Sequence, residues 1–469
     1  MKRTWMLLVL CLALVLTACG GAASVIGTHW NENGELILEM SDGTTQNAGK
    51  HEENPQGLAF HKLPDGTWGV TVGNASRLKE ITVPATYRGS AVTAVLDKGF
   101  YGAKLTAITL PDSITEIGAQ AFAYTALQGI ELPAALESIG KEAFAWCKGL
   151  FSVVIPAGVT EIGENLFSGC YRLVEVGNLS AVTLRAGEDG ELPESVQNVY
   201  TATAGGTQIT EQDGCVFFEQ EGDCRLIAYI GTQTALALPA THNGKPYELR
   251  EYAFYGCDAL TSVEFSAAVS SIPAYAFASC TRLERVTLPE GVTEIAAYAF
   301  SGCTALRELN IPRSVTAVFE ESFYNCEALK RLEDNVFYVD GWAIDSQGYE
   351  KKLRPDTVGL GVYAFFVLDD TAELVLPDGL RVICERAVCN ATRLLRVVLP
   401  ASLEYVDEMA LVQCQMLVGV YYKGGIENAA LFDGLLLPEE VAVHYYSAEE
   451  PTVEGDFWYY DTEGNIQVW

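Results

Sequence analysis

The chain has 469 residues, of which 49% are apolar and 19% charged, and its 61 acidic residues outnumber 30 basic ones for a net charge of −31. Such a field repels phosphate backbones and anionic membrane surfaces, which excludes nucleic-acid recognition through a basic patch. It suits solubility in an exposed protein, with recruitment of a basic partner or calcium as the alternative.

Lys2 and Arg3 precede an apolar run from Met6 to Leu16. The run is too short to span a bilayer comfortably and has the form of a signal peptide over residues 1–18. It ends in Leu16-Thr17-Ala18-Cys19-Gly20, which resembles a bacterial lipobox. That resemblance implies that Cys19 becomes the first mature residue and carries the lipid. No second apolar run is long enough for a membrane helix, so the mature chain is expected outside the cytoplasm, held by acyl chains. Residues 19–56, rich in Gly, Asn, Glu and Thr, read as a tether with a short strand at Leu36-Ile37-Leu38.

Order is expected from 57 to 420, where one unit recurs. Its clearest stretch holds Phe254, Phe277, Phe300 and Phe323, spaced by 23 residues. Each is followed by a Cys (257, 280, 303, 326) and then a Leu (260, 283, 306, 329). An apolar-x-apolar-Pro step links the units, as in Val286-Thr287-Leu288-Pro289, with an Ile or Val seven residues on (Ile295, Val318). One such unit cannot bury its own apolar face, so the period marks a stacked solenoid. Upstream, Phe100, Phe122, Phe144 and Phe167 follow at 22, 22 and 23 residues, and the Cys position reads Ala103, Thr125, Cys147, Cys170.

The pattern decays over 174–213. Segments near 205–230 and 332–352 read as β-hairpins inserted into the array, the second turning at Asp340-Gly341. The period resumes at Phe365, with Val388 and Leu411 in place of Phe. Residues 421–469 read as a C-terminal cap, since a terminal rung must be shielded and Phe457, Trp458 and Tyr459 lie together there. Each unit supplies one short strand, stopped by the proline that removes a ladder donor. The Ala-Phe-x-x-Cys part supplies a turn or short helix on the opposite side. Some fourteen or fifteen parallel rungs at about 4.8 Å would make a rod or arc of roughly 70 Å.

The unit Ala-Phe-x-x-Cys-x-x-Leu-x-x-Val-x-Leu-Pro-x-x-Val-x-x-Ile resembles the repeat of the BspA-like leucine-rich-repeat proteins over most of 57–420. The tail, with Val420-Tyr421-Tyr422-Lys423 and Tyr445 to Trp469, is similar to the end of many members. The resemblance implies a mostly β, right-handed leucine-rich-repeat solenoid at a bacterial surface. It also implies adhesion or protein binding, in some members to host matrix proteins or to other bacteria.

Thirteen cysteines in an exported chain ordinarily suggest disulfides. Seven occupy the repeat position, however: Cys147, Cys170, Cys257, Cys280, Cys303, Cys326 and Cys414. In an in-register ladder they lie about one strand spacing apart, beyond the roughly 3.5–4.5 Å Cβ separation of a disulfide. They therefore read as buried free thiols acting as small apolar residues. Cys215 and Cys224 flank the first hairpin turn, where pairing stays open, and Cys384 and Cys389 have no assigned place. No Cys-x-x-Cys pair, His-Glu-x-x-His motif, Gly-x-Ser-x-Gly elbow or phosphate loop occurs, so no metal, cofactor or catalytic residue is expected.

What remains is surface. One outward strand column reads Thr109, Glu131, Val154, Glu264, Thr287, Asn310, Val375, Val398. Its neighbour reads Ala107, Gly129, Ser152, Ser262, Arg285, Glu308, Glu373, Arg396. Arg285, Glu308 and Asn310, on adjacent rungs with mixed hydrogen-bonding capacity, are the candidate partner-binding residues. The expectation is a lipid-anchored surface protein that binds a protein partner. The alternatives are a glycan-binding lipoprotein, disfavoured because neither column holds an aromatic residue, and an enzyme with a site built by the two hairpins.

Overall fold

The computed structural model describes residues 25–30, 35–41, 43–50, 56–185, 191–201, 206–220, 222–266, 269–348, 351–366, 368 and 371–469. Residues 1–18 and Cys19 lie outside them. Where the sequence reads as a tether, Val25–Trp30, Glu35–Met40 and Thr45–Lys50 pair as a three-stranded antiparallel sheet. The strand expected at 36–38 is the middle of it.

From residue 56 onward the chain is a β-solenoid, with about 16 turns in all at a repeat of about 23 residues. The strand side is parallel and in register: Ser262 faces Arg285, Val263 faces Val286, and Arg285 faces Glu308. A second column of two-residue strands (Ser271–Ile272, Glu294–Ile295, Ala317–Val318) carries the Ile or Val position inward. Opposite the strands, the Ala-Phe segments are hydrogen-bonded turns rather than short helices. Among the described residues the one helix is a 3-10 turn at Ile426–Phe432.

The turn segments explain how the stack holds. The residue two before each Phe has positive φ, as at Gln120 (55°), Glu142 (55°), Tyr275 (57°) and Tyr298 (59°). The residue two after it does as well, at Gly102 (66°), Tyr124 (62°), Trp146 (60°), Ser279 (63°) and Gly302 (76°). These two left-handed residues flank each Phe, and none of the three residues between them has a positive φ. Through this turn every second N–H donates to the next rung, Gln120 to Lys141 O (2.9 Å), Phe122 to Ala143 O (2.8 Å) and Tyr124 to Ala145 O (2.9 Å), while Ala121 and Ala123 donate back within the turn to Gly118 O and Gln120 O. A left-handed non-glycine residue costs roughly 1–2 kcal/mol, and these inter-rung bonds offset that cost.

Inside, the Phe rings form continuous stacks, with centroids 5.5 Å apart for Phe100 and Phe122, 4.7 Å for Phe254 and Phe277 and 5.2 Å for Phe277 and Phe300. Val388 and Leu411 fill the same column, both buried. The Cys column does more than fill space. Cys147, Cys170, Cys280, Cys303 and Cys326 each donate the thiol proton to the Phe carbonyl of the preceding rung, at 3.1, 3.0, 2.9, 3.1 and 3.0 Å. Thr125 holds the same column, and its hydroxyl lies 3.2 Å from Cys147 Sγ of the next rung. All eleven described cysteines are free and buried. Cys215 sits opposite Tyr229 and Cys224 opposite Glu219, so the strand register keeps the two thiols apart. Cys384 sits between two stacks, its thiol 3.5 Å from Thr316 O.

The hairpins do not simply interrupt the array; each opens a new stack of rungs. Cys215–Gln220 pairs with Asp223–Tyr229, and Arg225 then pairs in parallel with Glu248 of the first short strand. Val336–Val339 and Trp342–Ser346 repeat this, with Trp342 beside Gly359. The N-terminal hairpin, Ala59–Lys62 with Trp68–Thr71, does the same against Ser90–Val95. Three cores follow, spanning Leu58 to Leu192, Cys215 to Cys384 and Val336 to Phe432. At the end, Gly419–Tyr422, Val443–Tyr446 and Phe457–Tyr460 continue the parallel ladder, and Ile466–Val468 closes it antiparallel. Trp458 is fully buried and donates Nε1–H to Tyr422 O at 2.9 Å. This module covers Val398, which the sequence places on the outer column but which is 1% exposed beneath Tyr421 and Trp458.

Truncating Phe277 to Ala should cost about 3–5 kcal/mol in urea unfolding, because the rings on both sides lose their partner. Cys280→Ser should cost far less, since a hydroxyl keeps the bond to Phe254 O. Burial raises the Cys215 and Cys384 thiols from 9.0 to about 12. A raised folded-state value gives stability that is full below pH 9 and lost between pH 9 and 12, as the unfolded thiols ionise first. The urea midpoint should therefore hold to pH 9 and fall at pH 10.5, less steeply for Cys215→Ala/Cys384→Ala.

Candidate binding surfaces

The strand face presents the two outward columns. Thr109, Glu131, Val154, Glu264, Thr287 and Asn310 are exposed, as are Arg285, Glu308, Glu373 and Arg396. Parallel pairing without slippage aligns them, because each rung repeats the alternation of its neighbour. Arg285, Glu308 and Asn310 come together along a groove of about 430 Å³ that also includes Thr287, Arg307 and Asp340. Much of their polar capacity is already in use. Arg285 Nε donates to Glu308, holding that carboxyl below its usual range. Asn310 clamps the preceding rung, with Oδ1 accepting from Leu288 N at 2.8 Å and Nδ2 donating to Leu288 O at 3.0 Å. Arg307 pairs with Glu284 at 2.6 Å. The groove offers paired charges and apolar floor residues, suited to contact over a wide area rather than to bond-making chemistry. Among the described residues no group of three or more His, Cys, Asp or Glu could hold a metal ion. No described helix is long and apolar enough to cross a membrane.

The turn face carries a feature the strand columns do not announce. Tyr124 and Trp146 stack along the first set of rungs at 5.8 Å, with Tyr101 tilted against Tyr124 at 5.3 Å, and Tyr252, Tyr275 and Tyr298 stack along the second at 4.9 and 5.0 Å. Tyr171 joins the two runs, 5.6 Å from Tyr252 and 5.8 Å from Trp146. The signal lay in the period: Tyr124 and Trp146 stand two residues after Phe122 and Phe144, where other rungs hold Gly102, Gly169, Gly256 and Gly302.

Beside that column, the first and second stacks meet around a cleft of about 480 Å³. Arg172 forms part of its lining and is 1% exposed. Its guanidinium donates to Ala253 O at 3.1 Å and, more distantly, to Ile227 O at 3.5 Å, while Nε has no hydrogen-bond partner. Burial pulls it down to about 10, so it remains a cation at neutral pH. Lys148 lies 6.0 Å from the Trp146 ring and 5.9 Å from that of Tyr255. Lys79 reaches across to Asp258 at 3.1 Å.

Comparison with known proteins accords with the repeat seen here. The model of the BspA type leucine rich repeat region matches in six copies over residues 73–184, 247–340 and 352–430, more than half of the chain. Among solved structures, a leucine-rich-repeat protein of T. pallidum is 23% identical, covering 59% of this chain and 90% of its own, at a TM-score of 0.26. A leucine rich cell surface protein of Faecalibacterium prausnitzii is 20% identical, covering 82% and 98%, at 0.24. A leucine-rich-repeat protein of Bacteroides ovatus is 19% identical, covering 91% and 100%, at 0.23. Superpositions this loose carry no argument about this chain, and no curated protein matches it. The six matched copies, the 23-residue rungs and the stacked Phe and Cys columns place the chain in the family of BspA-type leucine-rich-repeat proteins.

Proposed function

We propose that this chain is a bacterial cell-surface lipoprotein that binds another protein, as an adhesin or interaction module, through its strand face. The observation that carries the reading is the groove holding Arg285, Glu308 and Asn310, exposed on consecutive rungs and continuous with the outward columns. A flat, polar, in-register face repeated over many rungs matches how solenoids engage large partners. Exposed ion pairs such as Arg285 with Glu308 contribute little to folding, so their side chains are available to a partner at small cost. Family membership supports binding over catalysis, and the reading includes no cofactor, no metal and no nucleic acid. The glycan alternative belongs to a different part of the molecule, the aromatic and cationic cleft. Cys19 carries the anchor in this reading, with residues 1–18 removed.

The soluble 20–469 fragment should bind saturably to at least one of a panel of immobilised matrix proteins or bacterial surface proteins. Thr287→Arg/Glu308→Arg should weaken that binding at least tenfold with the unfolding midpoint little changed; binding to none of the panel, or equal binding by the variant, would count against the strand face. For the anchor, Cys19→Ala should abolish labelling by a fatty-acid analogue and shift the protein from the membrane fraction to the medium. Unchanged labelling would rule the site out.

A further inference from the structure

The cleft between the first and second stacks has a chemistry at odds with the rest of the molecule. In a chain of net charge −31 it gathers Lys79, Lys104, Lys148 and Arg172. Only Lys79 among them has a carboxylate partner, Asp258. Arg172 is buried with an unpartnered Nε, and a buried cation without a counter-ion is costly unless something supplies one. Its backbone partners satisfy hydrogen bonds but not the charge.

The aromatic lining has been placed there against local preference. Tyr124 and Trp146 hold φ of 62° and 60° at the rung position where Gly102, Gly169, Gly256 and Gly302 adopt the same conformation without strain. Gly169 leaves room for the Trp146 ring, since a Cβ there would lie 2.6 Å from it. Tyr124 and Trp146 stack on each other with planes 8° apart, and Lys148 lies over the Trp146 ring at 6.0 Å, which holds its ammonium at the cleft. Around them stand hydroxyl and amide groups of Thr125, Gln128, Ser279 and Thr281.

We propose that this cleft binds an acidic saccharide, a hexuronic or sialic acid unit of an otherwise neutral glycan, with its carboxylate facing Arg172 and Lys148. The volume of about 480 Å³ lies within the range of small-ligand sites. The polyhydroxylated remainder suits the Thr, Gln and Ser groups and the aromatic side chains of the lining. Charge selects a single carboxylate over a polyanion. The cations act within a screening length of about 8 Å, whereas an acidic peptide extending beyond the cleft meets the repulsion of the whole surface. The proposal does not rest on protein binding by the strand face, and either can fail alone.

The test is calorimetric titration of the 20–469 fragment with glucuronate, N-acetylneuraminate, glucose and a hexaglutamate peptide, at 50 and 300 mM NaCl. Glucuronate and glucose differ in essence by the carboxylate. Saturable binding of at least one acidic sugar is expected, at least tenfold tighter than glucose and weaker at high salt. Lys104→Gln/Lys148→Gln, both outside the packed core, should lose at least tenfold in affinity with an unchanged melting temperature. Four results would overturn the proposal: no binding of either acidic sugar, equal binding of glucose, tighter binding of hexaglutamate, or full affinity in the double variant.

Discussion

Every feature of this protein depends on the bond each rung makes to the next through its turn. Strand ladders alone would leave the opposite side of a solenoid unpaired, because a tight turn ordinarily spends its N–H groups internally. Here the two left-handed residues flanking each Phe set a turn in which every second N–H donates across rungs, as Phe122 does to Ala143. The thiol column adds a bond in the other direction, from Cys280 back to Phe254. The rungs are thus tied on two sides and packed between, and side chains on both surfaces fall into straight columns.

Much of this was legible in the chain itself. The spacing of Phe254, Phe277, Phe300 and Phe323 with their Cys and Leu followers specifies stacking, because only identical neighbours bury identical faces. The apolar-x-apolar-Pro step likewise marks the strand and its end. Other parts were not legible for identifiable reasons. Period alone shows that Cys280 is inward, not that its proton meets a carbonyl one rung back. Val398 alternates like an exposed residue, and it is the distant Trp458 that covers it. The pairing of Arg225 with Glu248, which makes a hairpin the start of a stack, joins residues with no shared pattern.

The candidate sites divide the same way. Arg285, Glu308 and Asn310 follow from the strand alternation, and the structure brings them to one groove. The cleft of Arg172, Lys148 and Trp146 is invisible to a reading taken rung by rung, since its walls come from two stacks far apart in sequence. Its aromatic residues stand on the turn column, which alternation arguments about strands do not reach. One face is thus built by repetition and the other by the joint between repeated parts. The first is broad; the second is local to one joint.

The recurrence of a hairpin before each stack bears on how such a protein lengthens. A solenoid with one continuous core can only grow by splicing rungs that fit both neighbours. A chain in which Trp68–Thr71 and Asp223–Tyr229 each open a core of their own, while Trp342–Ser346 joins the second core through Trp342 and the third through Ala343, can instead gain or shed a segment, lid included, with the repacking confined to the joint. Duplication in units of a lid plus several rungs would create a fresh junction each time, and with it a new cleft whose lining evolves free of the demands of stacking.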